Sequence, residues 1–109
     1  MGCSPPDVAW VKLDRWNALP QQQRKRFPPI CPDFIIELRS ETDSIKELQE
    51  KMKEYLDNGM RLGWLIDPKT QNVEIYRPGL AVEVLSSPKT LSGEDVLPGF
   101  VLDLKPIFD

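Results

Sequence analysis

Apolar residues occur in short bursts between polar breaks, and their spacing changes from one burst to the next. Val8-Ala9-Trp10-Val11 is a β-branched and aromatic run after a Pro-Pro break, so Asp7 to Lys12 reads as a strand. Asp14 to Leu19 has room for a short helical turn, and Pro20 to Pro29 is a polar connection. Phe34 to Arg39 is the most apolar stretch and reads as a second strand. The period then becomes helical. Ile45, Leu48, Met52 and Tyr55 or Leu56 recur at helix spacing, Ser44 with Glu47 forms a capping box at the start, and Asn58-Gly59 stops the run. Gly63 to Asp67 is a buried strand ended by Pro68, and the turn Lys69 to Asn72 leads into the alternating strand Val73 to Arg77, a hairpin. Ala81 to Leu85 predicts a further strand, Ser86 to Glu94 a loop, and Phe100 to Leu104 a last strand before a Pro-interrupted tail. One helix among strands, with a strand on either side of it, predicts an α/β (α+β) fold with a mixed sheet.

Composition narrows what such a fold can do. A chain of 109 residues is one domain, and its eleven prolines favour short elements with stiff connections. No apolar run reaches the ~18 residues of a membrane span, and the N-terminus lacks the basic and then apolar stretch of a signal peptide. A cytoplasmic location is the expectation, with Cys3 and Cys31 as free thiols. Histidine is absent, which excludes Ser-His-Asp and Cys-His catalysis and His-ligated zinc. Chemistry must then come from Asp, Glu, Lys, Arg, Ser or Tyr, aided by a hard metal ion. The net charge of −3 argues against nucleic-acid binding by charge alone, but a bound Mg²⁺ would supply local positive charge. The triplet Arg24-Lys25-Arg26 reads as a solvated loop, with a phosphate-backbone contact as the alternative.

Glu37 is the residue that stands out. It sits inside an apolar strand, where a charge is costly unless paired or bound to metal. Either it pairs with a neighbouring Arg or Lys, or it belongs to a site. Asp33 lies four residues away on the same face, about 13 Å at strand rise, too far to share one ion. Asp7, at the head of the first strand, is the candidate partner if the two strands are neighbours. Two carboxylates with water and substrate oxygens suit Mg²⁺ or Mn²⁺. Arg39 is too weakly acidic to serve as a base. On the helix, Lys51 borders the buried stripe and can reach the strand end, or else it pairs with Glu47 one turn earlier. Lys46 and Lys53 face solvent.

Pro6-Asp7 followed by Glu37-Leu38-Arg39, thirty positions on (37 − 7), resembles the PD-(D/E)XK nuclease pattern with arginine in the usual lysine place. Pro32 to Ser40, Lys51 to Tyr55, Gly59, Trp64 to Pro68, Val73 to Tyr76 and Leu97-Pro98-Gly99-Phe100 together resemble the Uma-two family of restriction-endonuclease-like proteins, over about Pro6 to Phe108. The resemblance implies a restriction-endonuclease-like core and a metal-dependent endodeoxyribonuclease that uses Mg²⁺ or Mn²⁺ on DNA. Asp7 and Glu37 would be metal ligands, aided by the Leu38 carbonyl, and Lys51 would orient or activate water and stabilise charge on the phosphate. Asp33 would fix the start of its strand and Ser40 its end, with Arg39 nearby. It also implies a single domain over residues 1–109 without the helix and strands that family members carry ahead of the first Pro-Asp. The alternative is a non-catalytic remnant that serves as an interaction or dimerisation module, pairing as a homodimer through exposed strand edges.

Overall fold

The computed structural model describes residues 7–18 and 31–109. Five strands form one mixed sheet in sequence order: β1 (Val8–Trp10), β2 (Phe34–Leu38), β3 (Leu62–Asp67), β4 (Asn72–Tyr76) and β5 (Glu83–Ser86). Only β2 and β3 run parallel, because helix α2 (Ile45–Asp57) carries the chain back between them; every other pair is antiparallel. A short α1 (Leu13–Asn17) follows β1. A separate hairpin, β6 (Thr90–Ser92) and β7 (Val101–Asp103), leads to the one-turn helix α3 (Lys105–Phe108).

Side-chain alternation divides this sheet between two apolar clusters. Ile35 and Leu65 point to one face and meet Leu48, Met52 and Tyr55 of α2. Phe34, Trp64, Ile66 and Val73 point to the other, where Leu91 of β6 and Leu104 cover them. β3 is buried along its whole length, as a parallel central strand should be. Gly63 makes the close approach of α2 workable: a methyl there would lie 2.5 Å from Met60 Cε and 2.6 Å from Met52 Cε. Ser44 Oγ accepts from the Glu47 amide at 3.4 Å to begin α2, and Gly59, with φ of 107°, turns the chain out after it.

Three expectations need correction. The segment Ser86 to Glu94 is not all loop, since Thr90–Ser92 pairs with Val101–Asp103. The Pro-interrupted tail forms α3, with Pro106 in the first turn where its missing N–H is no loss. The strand at residues 7–12 is shorter than its apolar run suggests, because Lys12 turns its amide to the Asp33 carboxylate instead of to a ladder partner. Among the described residues no helix is long and apolar enough to cross a membrane. Arg24-Lys25-Arg26 and Cys3 lie outside the described residues; Cys31 is buried, and its Sγ donates to the Tyr55 carbonyl at 3.6 Å.

Candidate functional site

The site begins with strand register. β1 and β2 pair Val8 with Ile36, Ala9 with Ile35 and Trp10 with Phe34. One step further along that antiparallel register puts Asp7 opposite Glu37, so both carboxylates leave the sheet on the face that carries α2. Asp7 is exposed, and its Oδ2 accepts a 2.6 Å hydrogen bond from the Leu38 amide, which fixes the side chain against the end of β2. Glu37 is only 2% exposed.

Helix α2 supplies the groups that make a buried carboxylate tolerable. Lys51 Nζ donates to Glu37 Oε1 at 3.1 Å, and Tyr55 Oη donates to Oε2 at 3.4 Å. Lys51 and Tyr55 are four residues apart, one turn of one helix face, and the ammonium lies 5.8 Å from the Tyr55 ring centroid. Burial is the largest influence on Glu37 and pushes its pKa up. Lys51 works against that, while the neighbouring Asp7 charge adds to it, and the net displacement is upward. A cation beside Asp7 and Glu37 would remove both penalties at once. Two carboxylates suit a hard divalent ion with oxygen ligands, and among the described residues no group of three or more His, Cys, Asp or Glu side chains is arranged around one point.

The remaining sequence-predicted residues lie apart from this pair. Asp33, also buried, accepts from the Lys12 amide at 2.8 Å and pairs with Arg15 of α1, so it ties the start of β2 to the end of β1. Arg39, which stands in the lysine place of the nuclease pattern, turns sideways to Asp67 at the end of β3, 2.7 Å away. Burial works to raise the Asp67 pKa, but hydrogen bonds from Arg39 and the Lys69 amide outweigh it and hold the carboxyl below the usual range. Lys51 thus meets Glu37 from the helix, while Arg39 on the strand is occupied elsewhere. Ser40 Oγ donates to Asp43 Oδ2 at 2.9 Å and its amide donates to the same oxygen at 3.0 Å, closing the turn into α2. Exposure of Lys46 and Lys53 matches their position on the outer helix face.

Sequence reasoning assigned Tyr55 to the apolar stripe and overlooked its hydroxyl. The available signal was that a buried tyrosine needs a partner for its oxygen. Gln49 and Glu74 were also overlooked. They meet on the other flank of α2, at 2.8 Å.

A sheet with a parallel central pair, a crossover helix and facing carboxylates at one strand end is a nuclease-type α/β core. Comparison with known proteins bears on this directly. The Uma2 family, described as "Putative restriction endonuclease", matches residues 4–105, and the chain belongs to that family. A solved structure described as a "putative nuclease belonging to DUF820" from Anabaena variabilis is 32% identical, with a TM-score of 0.64. The similarity covers 72% of this chain and 45% of that one, so this chain spans less than half the length of the structure it matches. No curated protein matches in sequence.

Proposed function

We propose that this chain is a metal-dependent endonuclease domain that hydrolyses DNA phosphodiester bonds, with Asp7 and Glu37 holding Mg²⁺ or Mn²⁺. The observation that carries the reading is the Lys51 ammonium, 3.1 Å from a buried glutamate that faces a second carboxylate across the strand pair. The bound ion would act as a Lewis acid on a phosphate oxygen and lower the pKa of a water at the site. Asp7 and Glu37 hold their oxygens in place before any ligand arrives, one fixed by the Leu38 amide and the other by Lys51 and Tyr55. Lys51 has a three-donor head on a flexible stem. It can keep one hydrogen bond to Glu37 while another is directed to the attacking water or to a phosphate oxygen that gains negative charge. Water adds to phosphorus, the bond to one sugar oxygen breaks, and that oxygen leaves as a hydroxyl after taking up a proton. Membership of a restriction-endonuclease family supports a nucleic-acid substrate, and DNA is the member of that class we propose.

Calorimetric titration with Mn²⁺ and Mg²⁺ tests the metal site. Wild type should bind at millimolar concentration or better, and Glu37→Gln should bind at least tenfold more weakly, at the lower end for loss of a ligand-level contact. Plasmid nicking should fall about 100-fold or more in Lys51→Ala, the scale of removing one donor from a developing charge. A well-folded wild type that takes up neither metal at millimolar concentration sinks the proposal and leaves the interaction-module alternative.

A further inference from the structure

Helix α2 meets the sheet through an apolar stripe, Leu48, Met52 and Tyr55, that lies over the centre. Gln49 and Lys51 are two residues apart, about 200° around the helix, so they leave it on opposite flanks of that stripe. Each ends on a carboxylate. Lys51 reaches Glu37 on β2 at 3.1 Å and Gln49 Nε2 reaches Glu74 Oε2 on β4 at 2.8 Å. The two acids occupy one row of the sheet, since Glu37 pairs with Leu65 and Leu65 pairs with Glu74. Glu74 is itself held, because Tyr76 Oη donates to its other oxygen at 2.6 Å and Tyr76 is buried.

Near the start of α2, beside Glu74, the face of the sheet is not filled. A cavity of about 200 Å³ lies there, lined by Ile45, Leu65, Glu74 and Val84 among others. An apolar stripe resists lifting a helix far more than it resists rolling it, because dispersion contacts are non-directional. With open space beside β4, roll about the helix axis is limited by the polar tethers at the two edges. A roll of about 20° at the ~6 Å radius of a side-chain end displaces that end by ~2 Å, enough to part Lys51 from Glu37.

We propose that Gln49 is a positioning residue for Lys51: its hydrogen bond to Glu74 sets the roll of α2 and so holds the ammonium against the Glu37 carboxylate. This rests on the nuclease reading for its catalytic consequence, but the positioning itself can be measured without activity.

The test compares Gln49→Met, which keeps length and apolar packing but loses the donor, with Gln49→Ala and with wild type. In each background a double-mutant cycle with Glu37→Gln and Lys51→Ala is measured by urea unfolding, giving the coupling between those two side chains. The coupling should fall by at least half in Gln49→Met, and Gln49→Asn, too short to reach, should not restore it. Coupling unchanged in Gln49→Met overturns the proposal, whatever the overall stability does, because a purely structural role shifts stability without altering that pairwise term. Cleavage assays add a second readout. In Gln49→Met kcat should fall with KM unchanged, and the Gln49→Met effect should vanish once Lys51→Ala is present. Loss of coupling in a protein that never cleaves DNA would uphold the positioning and refute the nuclease reading, so the two failures are distinct.

Discussion

Glu37 is held in a form its surroundings disfavour. Burial and the Asp7 charge outweigh Lys51 and raise its pKa above the ordinary carboxylate value. Between that ordinary value and the raised one, the unfolded carboxyl has already lost its proton while the native one keeps it. The stabilising contribution of protonated Glu37 is therefore complete at pH below the unfolded value and is lost as pH rises through the native one. Above the native value the ionised group costs the fold stability that the protonated group does not. Glu37→Gln resembles the protonated form in shape and charge, so it should melt higher than wild type at pH 7–8, with the difference shrinking as pH falls towards 4. Thermal melts across that range check the sign. A variant that loses metal affinity yet gains stability is the signature of a carboxylate kept for binding. If Glu37→Gln melts lower at every pH, Lys51 outweighs burial and the carboxylate is a structural ion pair. Saturating metal should reverse the order, because a ligand at 100 times its Kd stabilises the native state by about 2.7 kcal/mol.

At the scale of elements, α2 carries most of what the site needs. Its beginning rests on Ser44, whose oxygen meets the Glu47 amide at 3.4 Å, a long bond on an exposed turn. Ser44→Ala should cost about 0.5–1 kcal/mol, the low end for a lost N-cap, and urea unfolding resolves such a change. Because the first turn lies far from Lys51, cleavage should be unaffected while the helix as a whole stays folded. This helix was legible in the sequence: its apolar period, capping box and Asn-Gly stop are local signals, and each sits where the pattern put it. That the strands carrying Asp7 and Glu37 could be neighbours was legible too, but the antiparallel register that sets the two residues opposite each other was not. Other parts were not. Strand β6 has a single buried residue, Leu91, between two exposed ones, too short an alternation to separate from a loop holding Pro88 and Gly93. The Arg39–Asp67 pair depends on β2 and β3 ending side by side in parallel, which follows from the crossover and leaves no mark in the spacing of residues. Gln49 and Glu74 met for the same reason: each is an ordinary polar residue until the hairpin brings β4 under the helix.

For the molecule as a whole, the site on one face of the sheet depends on residues that never approach it. Phe34 and Ile35 are adjacent on β2 and belong to opposite clusters, as do Trp64 and Leu65 on β3. The strands that aim Glu37 at the helix are thus pinned from behind by Trp64, which meets the Phe34 ring edge-on at 4.8 Å and stacks on Phe100 at 6.1 Å. Leu104, wholly buried, closes that layer just before α3. Leu104→Ala should cost about 3 kcal/mol, within the usual range for emptying a buried leucine site. A domain this size has only about 5–15 kcal/mol to lose, and such a change lowers Tm by roughly 10–20 °C. The two faces share β2 and β3, so neither cluster survives the loss of the other. Tryptophan fluorescence, to which Trp64 on the far face contributes, and far-UV circular dichroism, which reports α2 on the site face, should therefore move to lower temperature together in Leu104→Ala and remain superimposable. Transitions that separate would mean that the C-terminal hairpin melts as its own unit, and that the Glu37–Lys51 pair can persist on a sheet whose other face is already open.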